Sequence, residues 1–333
     1  MKKNVSLLLL GTLFFLASVL TSDASYRVFF LDSYHEDYEW SQKVLQGIKE
    51  GLTGTQTDLN VFYMDTKQHP DEAHKNVMGQ KARAAIDKYK PDLLITSSDD
   101  AQHYVGRHYA GKNMPLVFCS VLANPKNYGY PASNVTGLLL RTYHKESLKL
   151  LGKHLPSVKR VVSVGDDSPT NLGGLSWMRK DLAQAGGDIR VKVIKYQQVG
   201  TFAEWKKTVA HYQDKTDALL FGMYHTLRDD SGNTADPEKV MRWTVSNSSL
   251  PEVGLTEWVM RHGGLMGVVV SGYQHGYQAG KMATEILTKK KRPSDIPLRA
   301  PEKGKIVVNS ARFRNLGIPI PRTLTRGVKI YRK

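Results

Sequence analysis

The sequence predicts an α/β protein made of two doubly wound parallel-sheet lobes. Three observations lead there. Short apolar runs bounded by turn residues alternate with segments of helical periodicity along most of the chain, the pattern of parallel strands and crossover helices. That alternation passes through two successive sets without an internal sequence repeat, so the second set shares the plan of the first without being a copy. The length, 333 residues, exceeds what one hydrophobic core usually serves and suits two domains.

The first set opens with an apolar run of β-formers at 27–31 and a helical pattern over 39–51. A second strand is expected at 60–64. Asp71 begins a helix that runs toward Tyr89, with Ala73, Val77, Ala84, Ala85 and Ile86 near helical spacing, and Pro91 ends it. Residues 92–96 read as a buried strand, followed by a helix from Asp99 or Asp100. The stretch PLVFCSVLANPKNYGYPASNVTGLLLR, 115–141, is the most informative in the chain. It has a proline and a short apolar strand, a loop of Asn, Pro and Gly, then a second apolar run after NVTG: a strand and a crossing segment, not a hairpin. In the second set, strands are expected at 161–164, 190–194, 218–221 and 253–255, with helices near 171–185, 202–212 and 237–246. A further strand at 265–271 precedes a strongly amphipathic helix over 274–289.

The N-terminus predicts a signal peptide over 1–24. Lys2 and Lys3 give a positive start, residues 5–20 are apolar and uncharged, and Ser22-Asp23-Ala24 offers small residues for cleavage before Ser25. The competing reading is a retained membrane anchor, for which the run is slightly short. Cleavage leaves 309 of the 333 residues. The one cysteine, Cys119, sits inside a strand pattern, so no lipid-accepting cysteine follows the signal, and an intramolecular disulfide or a thiolate-rich zinc site is excluded. Together these point to a free protein in a Gram-negative periplasm. Lys plus Arg number 47 against 31 acidic residues. The cations are spread along the chain rather than interleaved with aromatics, and the one run, 289–292, falls at an expected helix end, where cations complement the dipole. No nucleic-acid partner is expected. A positive field that attracts an anionic ligand or an acidic partner face is the sharper alternative.

In open α/β sheets, ligands bind beyond the carboxyl ends of the strands. The residues in those places are Ser33 and Tyr34 after the first strand, Ser97, Ser98 and Asp99 after the third, and Ser120 after the fourth. In the second set they are Asp166, Asp167, Ser168 and Asn171, then Tyr224, then Glu257, with Tyr273 after the returning strand. Hydroxyls and free backbone N–H groups suit a carboxylate, an Asp or Glu suits an ammonium, and Tyr34, Tyr224 or Trp258 can cover an apolar or cationic part. Ser98, Asp99 and Ser168 are equally good helix N-caps, Asp166 and Asp167 could simply make a turn, and Trp40 reads more readily as core than as ligand stacking. The expected site holds the polar head of a small ligand between the Ser97–Ser98–Asp99 loop of one lobe and the 166–171 loop of the other.

Metal and catalytic readings have less support. His35, Glu36 and Asp37 are adjacent and cannot all point at one ion, and the eleven histidines are scattered. Neither a nucleophile elbow, a phosphate loop nor a dinucleotide fingerprint occurs. A Ser–His–Asp triad depends on geometry that residue types do not set. No cofactor and no enzymatic activity are expected.

Three segments carry a resemblance. PLVF leads to NP and then NVTG; GKMATEILTKKKRPSDIPLRAPEKGKIVVNSARFRNLGIPIP supplies a helix, a PSDIP turn and an LGIPIP ending; YRVFFLDSYHEDYEWSQKVLQGIKEGL supplies a first strand and helix with SYH and W. In order and spacing they resemble the ABC transporter substrate-binding family that includes tryptophan- and tyrosine-type receptors, over essentially all of the mature chain. The resemblance implies a periplasmic binding protein type I fold with a three-crossing hinge. The first lobe would be 25–140 plus about 266–295, and the second 141–265 plus about 296–333. It further implies a monomer that closes over a small polar ligand, an amino acid and particularly an aromatic one, and presents it to an ABC permease. The SYH…W element is similar to sensor-associated members, so the alternative is a ligand-sensing subunit for a membrane receptor kinase or cyclase.

Overall fold

The computed structural model describes residues 25–300, 304–324 and 327–332; the expected signal segment, 1–24, lies outside them. The chain folds as β1 (Tyr26–Asp32), α1 (Glu39–Gly51), β2 (Thr57–Tyr63), α2 (Glu72–Tyr89), β3 (Leu93–Ser97), α3 (Ser98–Tyr104), β4 (Leu116–Val121) and β5 (Val135–Leu139). It continues through α4 (His144–His154), β6 (Arg160–Asp166), α5 (Pro169–Gln184), β7 (Lys192–Val199), α6 (Phe202–His211), β8 (Ala218–Phe221), α7 (Pro237–Asn247) and β9 (Glu252–Gly254). The last elements are α8 (Glu257–Arg261), β10 (Met266–Val269), α9 (Gly272–Lys289), β11 (Lys305–Asn309), α10 (Ser310–Asn315) and β12 (Lys329–Tyr331).

Two sheets result, in the orders β2-β1-β3-β4-β5 and β12-β11-β10-β9-β8-β6-β7. All pairings are parallel except β10 with β11. This is the α/β architecture of two doubly wound lobes. β3 and β4 are buried along their whole length, which is why LLITS and LVFCSV are almost continuously apolar: helices cover both faces of a parallel sheet. Cys119 lies in β4, fully buried, and burial pushes its thiol up to about 12, so it is an inert core group. Local signals fix the helix starts. Asp71 accepts from the backbone N–H of His74, and Thr201 and Glu204 form a capping box. Among the described residues, no helix is long and apolar enough to cross a membrane.

Two placements differ from expectation. The strand expected to return to the first lobe pairs instead in the second sheet, with β9 at Met266↔Val253 and antiparallel to β11 at Met266↔Val308. β10 is buried, so its backbone groups need partners on both edges, and β9 and β11 supply them. Only α9 returns. It lies along α1, where glycines remove the side chains that would hold two helices apart. A Cβ on Gly276 would stand 1.9 Å from Val44 O, and one on Gly47 2.1 Å from Tyr273 O. The second difference is the tail. Ile296 accepts a hydrogen bond from Thr136 Oγ1 at 2.7 Å, and Arg299 pairs with β5 through Leu139 N–H to Arg299 O, 2.8 Å. The chain therefore stays with the first sheet past 296 and rejoins the second at Lys305. The connection between the sheets is made after β5, between β10 and α9, and between Arg299 and β11.

Candidate functional site

The carboxyl ends of β3 and β4 face those of β6 and β8 across a cleft. The first wall carries Tyr34, Tyr38 and Trp40 from the segment after β1, then Ser98, Asp99 and Ser120. The second carries Thr170 and Asn171 at the start of α5, Gln197 and Gln198 from β7, Met223, Thr256 and Trp258. Thr142 and His144, at the first crossing, complete it.

Ser98 and Ser120 are the unusual backbone positions. Both are non-glycine residues in the left-handed region, at φ 68° and 61°, and both are buried. Each such conformation costs on the order of 1–3 kcal/mol, and this kind of strain clusters at ligand sites. Ser120 Oγ is buried with no hydrogen-bond partner among the described residues, and so is the indole N–H of Trp258. The cleft therefore presents polar groups that its own walls leave unused. Burial raises the Tyr34 phenol, with the Ser98 hydroxyl acting against it, so Tyr34 is a neutral donor.

Aromatic groups meet across the cleft. Trp40 and Trp258, one from each lobe, stand edge to face at 6.0 Å between ring centroids, and Tyr38 meets His225 in the same way at 6.0 Å. Outside these contacts, Arg261 pairs with Glu39 at the rim. The lobes are thus in contact. Space open to the centre of a water molecule amounts to about 80 Å³, or roughly six waters at about 10–15 Å³ each. Among the described residues, no lysine or arginine lines this space. Its histidine, His144, is held neutral, its pKa lowered to about 3 by burial.

Of the residues expected at the site, Tyr34, Ser98, Asp99, Ser120, Asn171 and Trp258 line the cleft and the others do not, while Trp40, which the sequence assigns more readily to the core, lines it as well. Asp99 is already engaged: its carboxylate accepts from Leu122 N–H and Ala123 N–H, both at 3.1 Å, and from the Tyr128 hydroxyl at 2.9 Å. Burial raises its pKa. It shapes the loop after β4 rather than waiting for an ammonium. Asn171 clamps two strand ends, donating to Asp166 O at 2.5 Å and accepting from Met223 N–H at 3.0 Å.

The remaining candidates serve the scaffold. Ser33 Oγ donates to Ser97 O at 2.7 Å and accepts from Ala101 N–H at 2.8 Å, while Ser97 is buried at the end of β3. Asp166 accepts from the Ser168 hydroxyl at 2.6 Å, and Ser168 caps α5 through Asn171 N–H. Asp167 is exposed and lies beside Gly200, away from the cleft, because the turn into α5 directs it outward. Tyr224 is fully buried against Trp205, its hydroxyl 3.3 Å from His262 Nδ1. Glu257 accepts from Lys329 Nζ at 2.7 Å, and Tyr273 donates to Glu50 at 2.5 Å. Gln197 and Gln198 were not among the candidates, since β7 runs to Val199 rather than 194. The β-formers Tyr196 and Val199, beyond Ile194, are the signal that extends it. Among the described residues, no cluster of His, Cys, Asp and Glu could hold a metal ion.

The family model for the ABC transporter substrate binding protein matches residues 39–328. The chain belongs to this family. No curated relative is matched by the sequence. Several solved structures are similar to this substrate-binding protein. An ABC domain in complex with L-Trp from Streptococcus pneumoniae superposes with a TM-score of 0.70 at 18% identity, covering 93% of this chain and 100% of that one. The ligand-free, open structure of a substrate-binding protein with adhesive properties from Clostridium difficile gives 0.67 at 17% identity, covering 92% and 99%. A leucine-binding protein from Thermotoga maritima gives 0.53 at 10%, covering 79% and 83%. At these identities the likeness speaks for the fold, a periplasmic binding protein type I-like one.

Proposed function

We propose that this ABC-type substrate-binding protein closes its two lobes over a small zwitterionic amino acid with an aromatic or apolar side chain, and presents it to an ABC permease outside the cytoplasmic membrane. The observation that carries the reading is the composition of the cleft. Aromatic faces from both lobes enclose uncharged donors and acceptors; among the described residues no lysine or arginine lines the walls, and the Asp99 carboxylate is already spent. Lys67 stands beside these walls, its Nζ 5.0 Å from the centre of the Tyr34 ring, a single charge that suits the carboxylate end of a zwitterion better than a dianion. An amino-acid carboxylate suits hydroxyls and backbone N–H groups at Ser98, Ser120 and Thr170, and an apolar body suits the indole rings. The L-Trp bound by the pneumococcal relative is in keeping with this. Contacts from both walls favour closure, because only differential affinity shifts such an equilibrium.

Calorimetric titration with L-Trp, L-Tyr, L-Phe and L-Leu tests it, beside mass spectrometry of any small molecule that co-purifies. A ligand at a hundredfold excess over its dissociation constant should stabilise the fold by about 2.7 kcal/mol and compact it in solution scattering. A co-purifying sugar or dicarboxylate, with no response to the four amino acids, would overturn the assignment.

A further inference from the structure

A second cavity lies behind the hinge, bounded by all three connections between the sheets: Leu138 near the end of β5, Val270 and Ser271 between β10 and α9, and Arg299 and Lys305 on the third. About 660 Å³ of it is open to the centre of a water molecule. Among the described residues, the charged groups of its lining are cationic. Arg299 and Lys305 make no ion pair among the described residues, and Arg299 Nε is buried without a partner. Gln274 and Gln278 project from α9, and Ser271 caps that helix by accepting from Gln274 N–H. His275 is 2% exposed, yet neither ring nitrogen has a hydrogen-bond partner among the described residues. Burial pushes its ring down to about 4, so it is neutral and offers one N–H. Among the described residues, no carboxylate lines the cavity. The first turn of an 18-residue helix borders it, and that end of a helix favours negative charge.

We propose that this hinge cavity is a second ligand site, one that takes a small oxyanion such as a carboxylate or phosphate group between Arg299 and Lys305, with the His275 ring as a third partner. The two cations are fixed by different lobes. The Arg299 backbone pairs with β5 of the first sheet, and Lys305 opens β11 of the second. An anion held by both spans the hinge. His275 also stands 5.8 Å from Trp40, which lines the main cleft, so the two cavities share a wall. Occupancy is thereby linked to lobe closure and to affinity at the cleft. That link rests on the lobe-closing function proposed above, whereas the existence of the anion site does not.

The test is calorimetric titration of the purified full chain with inorganic phosphate and, separately, with acetate, at constant ionic strength. One saturable site is expected for at least one of them, with the His275 ring resonances moving along the same isotherm. Arg299→Gln with Lys305→Gln should weaken it at least tenfold. Gln278→Glu, a change on a partly exposed helix position, places a negative charge in the cavity and should do the same if the double variant folds poorly. Lys289→Gln with Lys291→Gln, at and just beyond the far end of α9, should leave it unchanged and so separates a built site from the general attraction of a basic protein. Non-saturating responses to both probes, or saturation equal in the Arg299/Lys305 and Gln278 variants, would overturn the site. Because phosphate and acetate are titrated without any cleft ligand, failure here is distinct from failure of the amino-acid assignment.

Discussion

Asp32 ends β1 with one carboxylate oxygen accepting from Tyr34 N–H at 3.1 Å and the other buried without a partner. Burial outweighs its hydrogen bonds and raises its pKa to about 7. The folded chain therefore holds this proton to higher pH than the unfolded chain does. Between about pH 4 and 7 the unfolded state binds fewer protons, and stability falls as pH rises through that window. Asp32→Asn removes the ionisation at constant shape. It should be nearly neutral below pH 4 and stabilising above pH 7, by on the order of 2–4 kcal/mol at one pKa unit per about 1.4 kcal/mol. Urea unfolding at pH 5 and pH 8 reads this directly, and parallel stability curves for the two proteins would contradict it. His144 has the opposite sign. Its folded value of about 3 lies below the ordinary histidine range, so its contribution is present above about pH 6.5 and fades as acid is added.

At the scale of elements, the α1–α9 contact is where small changes have large effects. The helices touch backbone to backbone through Gly47, Gly51, Gly276 and Gly280. Gly276→Ala puts a methyl group 1.9 Å from Val44 O, so the helices must separate. The expected cost is about 1–3 kcal/mol. Gly187→Ala, where nothing lies within 4 Å, should be neutral or stabilise by about 0.4–1 kcal/mol. Thermal melts of the pair check the contrast, and equal shifts would sink the packing argument. The periodicities of α1 and α9 were legible in the sequence, as were β1 to β6 and β8 to β10, since both follow from the spacing of apolar residues; β11, β12 and the second half of β7 were not. The complementarity of their glycines was not, because it joins positions more than 200 residues apart. The same holds for β10, whose apolar run says that it is buried but not beside which strand. Within the site, Ser98, Ser120 and Asn171 could be picked out because strand ends mark them. Nothing in a serine announces a positive φ, and nothing in Asp166 or Ser168 says that they would satisfy each other.

For the whole molecule, the question is what holds the lobes together without ligand. The Glu39–Arg261 pair joins them at the rim, with both side chains a third or more exposed. Water screens such a pair, which limits its contribution to roughly 0.2–1 kcal/mol. Arg261→Gln should consequently weaken cleft-ligand affinity by about two- to fivefold and expand the ligand-free protein slightly in solution scattering. Unchanged affinity together with an unchanged radius would show that the aromatic contacts alone hold the closed form. Those contacts belong to a hydrophobic cluster that continues from Val28 and Phe30 of the first lobe to Phe221 and Trp258 of the second, so parting the lobes exposes apolar surface, a cost that ligand binding offsets.

The edge-to-face pair of Trp40 and Trp258 has an optical consequence. Two indoles whose centres lie 6.0 Å apart at 81° couple their excited states, and such coupling gives circular dichroism bands of paired opposite sign. Because each ring is carried by a different lobe, the couplet should be present when the lobes meet and vanish as they separate. Replacing either ring with phenylalanine should abolish it, while the same change at Trp243, on α7 and edge to face with Phe202, should leave it intact. A couplet that survives Trp40→Phe would assign it to other rings. Otherwise the protein carries its own chromophoric gauge of opening, readable in solution without any attached label.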